Sequence, residues 1–212
     1  GLREGVFFGR ALAGRDERLF DDVRRASVVN LAAQYDPHAR HTRHVAQLAL
    51  TLFDDLATAG LHDGDAAERE LLWAACMLHD VGVAVDYDDH HKHSRYLILS
   101  AGLPGFSPRE VALIGQVVRY HRKGMPDVGP FAGLMRDGDR RLLDRCAVLL
   151  RLAEDLERSR DQAVREVEVA AAQDEVVRLE LVADGDARVP RWAASRETEL
   201  FARAFGRELQ VV

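Results

Sequence analysis

The 212-residue chain carries 29 Lys and Arg against 35 Asp and Glu, a formal net charge of −6, with 47% hydrophobic and 30% charged residues. This balance is that of a globular protein and excludes a disordered chain, and the acidic excess argues against a nonspecific nucleic-acid surface. No apolar run approaches the ~20 residues a bilayer span needs, so no membrane partner is expected; Cys76 and Cys146 both sit in apolar runs and give no disulfide framework, which makes a reducing cytoplasm the expected compartment.

Opening on Gly1-Leu2-Arg3-Glu4-Gly5 rather than methionine, the chain reads as a piece of something longer. The pattern predicts a helix from Asp16 to about Tyr35, ending at Asp36-Pro37. Asp36 then caps a second helix with Pro37 at its first position, running to Gly60 with Val45, Leu48, Leu52 and Leu56 on one stripe. Glu68 to Leu78 is an apolar helix broken by Gly82. A short helix follows His93 and closes at Gly102, with Pro104 just beyond.

Ser107-Pro108-Arg109-Glu110 is a capping box with proline in the first turn, opening a helix to about His121. Gly124 to Gly138 is a glycine- and proline-containing loop, and Arg140 to Arg165 is helical. After that the pattern turns β-rich: Val167 to Ala170, then Val176 to Val182 with Val177, Leu179 and Leu181 alternating. Pro190 to Phe205 is helical and Leu209 to Val212 is a last strand. The expected fold is therefore mainly α, with a helical body over residues 1–165 and a small α+β module of β-β-α-β order over 166–212.

The informative feature is His79-Asp80 at the end of the apolar run Leu71 to Leu78. An imidazole beside a carboxylate in such a place costs roughly several kcal/mol to bury unless something pairs with it, and a divalent cation is one such partner. Other inward-facing candidates recur along the chain. His38, His41 and His44 follow at three-residue steps, and at ~100° per residue His41 lies central to the Val45, Leu48, Leu52 stripe, its neighbours about 60° to either side. His93 shares a face with Leu97, whereas His90, His91 and Lys92 are freer to face solvent. His121 flanks the Val111, Ile114, Val118 stripe. Glu154 and Glu157 lie on the flank of Leu143 and Leu150, with Asp155 roughly opposite.

Taken singly, each of these has an ordinary reading as a helix-end histidine or a surface charge. Together they put an inward histidine or carboxylate on five helical segments, which a core rarely collects without a ligand.

The pattern resembles the HD superfamily of metal-dependent phosphohydrolases. The resemblance implies a metal held by His41 (before Val45-Ala46), by His79-Asp80, and by Glu154 in Ala153-Glu154-Asp155-Leu156, where the family usually has aspartate; Glu154 and Asp155 stay alternatives for that ligand. The dinuclear branch adds two histidines, matched in order by His93 and His121. Three strings are similar to the C-terminal half of the exopolyphosphatase / guanosine pentaphosphate phosphohydrolase family: His90-His91-Lys92-His93-Ser94, Leu103-Pro104-Gly105-Phe106 and Val118-Arg119-Tyr120-His121-Arg122-Lys123. The chain's opening resembles the end of that family's actin-like domain, and its tail the family's last module.

What the resemblance implies is a hydrolase of phosphoanhydrides, acting on polyphosphate or phosphorylated nucleotides. Two divalent ions (Mn, Fe, Mg or Zn) would activate water, with His79 and Asp80 central and Asp80 able to bridge. Lys92, Arg119, Arg122, Lys123 and Arg158 are the candidate phosphate binders. In that family the polyphosphatase activity is assigned to the actin-like half. The alternative is thus a non-catalytic, polyphosphate-binding and homodimerising module that works with such a partner domain.

Overall fold

The computed structural model describes residues 22–36, 38–173 and 175–212, leaving the side chains of 171–173 aside. Helix α1 covers Val23–Tyr35. Its start is set by Asp22, whose side chain accepts the Arg25 backbone N–H at 2.9 Å; the expected earlier stretch from Asp16 lies outside the described residues. Asp36 ends α1 instead of capping the next helix, although its carboxylate does accept the His38 N–H at 2.7 Å. Helix α2, Ala39–Thr58, then has His38 at its N-cap with no side-chain cap; Pro37 lies outside the described residues.

Helix α3 covers Ala66–Leu78 and is capped by Asp65. A single 3₁₀ turn, Val81–Ala84, leads to α4, His90–Ala101, which begins before His93 rather than after it. Helix α5, Pro108–Arg119, opens on the expected capping box with both of its reciprocal hydrogen bonds formed. Helix α6 runs Asp139–Leu156, so the expected extension to Arg165 does not form. Beyond Glu157 the sequence offers Arg158-Ser159-Arg160-Asp161-Gln162, with no apolar residue for a helical face to bury, and the chain turns instead.

The tail holds strands β1 (Val164–Gln173), β2 (Val176–Ala183) and β3 (Glu208–Val211) in the order β1-β2-β3, the first pair antiparallel and the second parallel. Between β2 and β3 stand two short helices, α7 (Arg188–Ala194) and α8 (Thr198–Phe205). The single helix expected over Pro190 to Phe205 is broken at Ser195-Arg196-Glu197, where the polar run lets the chain turn so that both helices pack on α6.

Leu48, Leu52 and Leu56 of α2, Leu72 and Leu78 of α3, and Leu143 and Leu149 of α6 are fully buried at the centre. The inner face of the sheet (Val167, Val177, Leu179) and Phe201 of α8 belong to the same apolar cluster. Arginine–carboxylate pairs tie the helices at their flanks: Arg145 of α6 reaches Glu68 of α3 at 2.7 Å, and Arg203 of α8 reaches Asp144 of α6 at 2.7 Å. No helix among the described residues is long and apolar enough to cross a membrane.

Candidate metal centre

His79 and Asp80 sit where α3 gives way to the 3₁₀ turn, both essentially without exposure to solvent. Backbone carbonyls near the ends of α3 and α5 and in the turn before α4 orient three histidines. The Nδ1–H of His79 donates to the Cys76 carbonyl at 2.6 Å, and that of His121, just past α5, donates to the Val118 carbonyl at 2.7 Å. His90, the first residue of α4, donates from Nδ1 to the Tyr87 carbonyl at 2.9 Å. Each bond consumes the Nδ1 proton and turns Nε2 inward as a lone-pair acceptor, the arrangement that fixes a metal-ligating imidazole.

Among the described residues, two groups of three ligand atoms result, one from His41, His79 and Glu154, the other from Asp80, His90 and His121. In the first, Glu154 Oε2 lies 3.0 Å from His41 Nε2 and 3.3 Å from His79 Nε2. In the second, His90 Nε2 lies 3.1 Å from His121 Nε2 and 3.1 Å from Asp80 Oδ1. The groups touch through His79 and Asp80, His79 Nε2 being 3.7 Å from Asp80 Oδ1, and both of those buried atoms lack a hydrogen-bond partner among the described residues.

The donor chemistry fits a divalent cation. With Nδ1 protonated on His90 and His121, their two Nε2 atoms are both acceptors, and neither can satisfy the other or the carboxylate oxygen beside them. Protons alone satisfy this set only by charging buried rings. The electrostatics reflect that competition: burial opposes a charge on His79, yet Asp80 and Glu154 raise its pKa to about 9. His121, equally buried and facing the His79 charge, is lowered to about 3. Against the cost of burial, the histidines hold Asp80 and Glu154 well below the usual carboxylate range.

Of the ligands the resemblance implies, His41, His79, Asp80, His121 and Glu154 are thus brought together, and His93 is not. The inward stripe of α4 is His90, His91, Ser94 and Ile98, so the histidine aligned with Leu97 is turned to the flank and His90 enters the cluster in its place. The error follows from starting the helix at His93. Ser94 shows what fixes the start: its Oγ donates to the His79 carbonyl at 2.6 Å and accepts the Gly82 N–H at 2.8 Å, clasping α4 to the turn after α3. Glu154 rather than Asp155 completes the first group. Asp155 is not a surface group either; burial and its neighbours Glu197 and Glu154 push its carboxyl up to about 6.

A cleft of about 540 Å³ opens over the second group, with His90, His121 and Glu154 in its wall. Of the candidate phosphate binders, Arg122, Lys123 and Arg158 line it. Lys92, paired outward with Asp89, and Arg119, over the Tyr120 ring, do not. Arg151, Arg160 and Arg196 also line it and were missed. Arg151 sits in the middle of an apolar helix pattern, where it donates to the Tyr120 carbonyl at 2.7 Å and so holds the loop bearing Arg122 and Lys123. Its lone charge between Leu150 and Leu152 was the available signal.

A family model described as Ppx/GppA phosphatase, domain III, matches residues 23–188. Two curated relatives bear the name guanosine-5'-triphosphate,3'-diphosphate pyrophosphatase. The one from Vibrio vulnificus (strain YJ016) is 27% identical over 198 residues, 93% of this chain and 38% of that protein. The one from Aliivibrio fischeri (strain MJ11) is 30% identical over 122 residues, 58% of this chain and 23% of that protein. The chain therefore spans well under half the length of the curated relatives it matches.

Proposed function

We propose, from the premise that this chain belongs to the Ppx/GppA phosphatase family through its domain III, that it is a divalent-metal-dependent phosphohydrolase domain acting on phosphoanhydrides. The observation that carries this reading is the convergence of lone-pair donors, His90 Nε2, His121 Nε2 and Asp80 Oδ1, beside a second such group and beneath a cationic cleft.

His41, His79 and Glu154 would hold one cation and Asp80, His90 and His121 the other, with Asp80 at the seam between them. Bound divalent ions would supply Lewis acidity toward phosphoryl oxygens and toward the attacking water. The chain's own groups do the rest. Arg122, Lys123, Arg158 and Arg196 bind and neutralise the phosphate chain, and Arg151 fixes the loop that carries the first two. Acyclic polyphosphate and the guanosine polyphosphates after which the relatives are named both present the chain of negative charge this wall recognises.

Elemental analysis of the purified chain after growth with manganese or iron tests the reading. At least one equivalent of metal is expected, lost together with phosphatase turnover in the double variant His79→Ala, Asp80→Ala. Less than one equivalent, or turnover unchanged in that variant, would overturn it.

A second reading rests on the length of the relatives. Because the chain spans 38% of the Vibrio vulnificus protein, catalysis could belong to the remainder, with this portion binding polyphosphate and mediating dimer contacts. That reading expects polyphosphate binding that persists when metal is stripped by chelation, and no hydrolysis by this chain at any metal concentration.

A further inference from the structure

Among the described residues, Arg160 is the one cation of the cleft wall paired directly with a residue of the metal groups: its Nη2 lies 2.9 Å from Asp80 Oδ2. Asp80 is therefore divided. Oδ1 faces His90 and His79, while Oδ2 is engaged by a guanidinium.

The loop that delivers Arg160 is held in an uncommon conformation. Arg160 has φ 57° and Gln162 φ 59°, left-handed backbone at two non-glycine positions within three residues, which is maintained only where the surroundings enforce it. Glu157, 1% exposed, accepts the Arg160 N–H at its carbonyl at 2.9 Å, and Arg40 of α2 donates to Gln162 at 2.7 Å on the other side. The loop is thus braced at both ends. The Arg160 side chain itself stays 35% exposed, with the cleft on one side and the small hollow beside His38 and Glu157 on the other.

A guanidinium so placed opposes a divalent cation at Asp80 in two ways. It occupies one carboxylate oxygen, and it puts a positive charge within a few ångströms of the ion. The same side chain has an alternative partner whenever an anion enters the cleft that Arg160 lines, because a phosphate accepts a guanidinium as well as a carboxylate does.

We propose that Arg160 is a positioning residue that exchanges between Asp80 and a phosphate group in the cleft, so that anion binding releases Asp80 for the cation and the two ligands reinforce each other. The inference rests on the metal-centre reading above. By linkage the effect is reciprocal: whatever factor phosphate contributes to cation affinity, the cation contributes to phosphate affinity.

The test is a calorimetric titration of the chelator-stripped chain with Mn²⁺, with and without inorganic phosphate, for the natural protein, R160Q and R160K. Removing the charge is expected to tighten Mn²⁺ binding by about three- to ten-fold without phosphate, with R160K between. Phosphate should then tighten Mn²⁺ binding in the natural protein by a larger factor than in R160Q, where only direct contact between the two ligands remains. Equal or weaker Mn²⁺ binding by R160Q, or an equal phosphate effect in both proteins, would overturn the exchange. If none of the three proteins binds Mn²⁺, the metal centre itself fails and the exchange with it, an outcome distinct from Mn²⁺ binding that ignores residue 160. Matching melting temperatures for the three proteins would establish that the comparison is between equally folded chains.

Discussion

At the scale of single residues, the site turns on which nitrogen each histidine presents. His79, His90 and His121 all donate Nδ1–H to the carbonyl three residues earlier, so the backbone selects the tautomer and points Nε2 inward. This distinguishes His90 from His93, and the two make opposite predictions. His90→Ala removes one of three ligand atoms from the second group and is expected to lower cation affinity by at least about ten-fold. His93→Ala is expected to leave it within about two-fold, both read by Mn²⁺ titration. Glu154→Asp asks a related question about reach: Oε2 already lies 3.0 and 3.3 Å from two Nε2 atoms, so shortening the side chain by one methylene withdraws the oxygen and should weaken the first group selectively.

At the scale of elements, the helix ends and the crossings between helices set the site. Gly82 is the tightest crossing among the described glycines: a Cβ there would collide with both the His90 carbonyl oxygen and the Ser94 backbone nitrogen. Backbone cannot move aside cheaply, so Gly82→Ala is expected to push α4 from the turn after α3 and cost about 2 kcal/mol or more in denaturant unfolding, with metal affinity falling alongside. The α3–α6 contact offers an electrostatic counterpart. Glu68 is 5% exposed and bound by Arg145 through both oxygens, so Arg145→Met leaves a buried carboxylate alone and is expected to cost about 3 kcal/mol. Adding Glu68→Leu should restore much of that loss, since the penalty lies in the unpaired charge.

The capping box of α5 gives a pH signature. Burial opposes the charge on Glu110, but Arg24 and the Ser107 N–H and hydroxyl lower its carboxyl to about 2 from an ordinary 4.5. A carboxylate depressed on folding contributes stability that is fully present above the unfolded value and is lost as pH falls toward the folded one. Acid titrations between about pH 4.5 and pH 2 should therefore show a steeper loss of stability for the natural chain than for Glu110→Gln.

At the scale of the whole molecule, a cation held by the buried donors would couple its binding to folding. A cation that binds the folded chain and not the unfolded one adds about 2.7 kcal/mol at a hundred times its dissociation constant, so Mn²⁺ should raise the melting temperature and chelator should reverse it. Absence of any such shift in the natural chain, alongside absence in His79→Ala, would argue against a metal centre. Much of this architecture was legible beforehand. The stripe of Val45, Leu48, Leu52 and Leu56, the capping box at Ser107 and the alternation of Val177, Leu179 and Leu181 are local signals, and each formed as its period and end residues required. The family resemblance was legible for the same reason, because the strings that suggested it, such as Val118 to Lys123, are local, and the family model matches residues 23–188. What the sequence by itself determined, then, is the type of most segments, though not all of their bounds, and which family they belong to. Tertiary structure alone decided that α4 begins at His90, that the chain leaves helix after Leu156, and that Arg151, Arg160 and Arg196 share one cleft. The first two depend on hydrogen bonds and burial supplied by residues distant in sequence, and the third on charges scattered over separate elements, none of which leaves a period or a spacing to read.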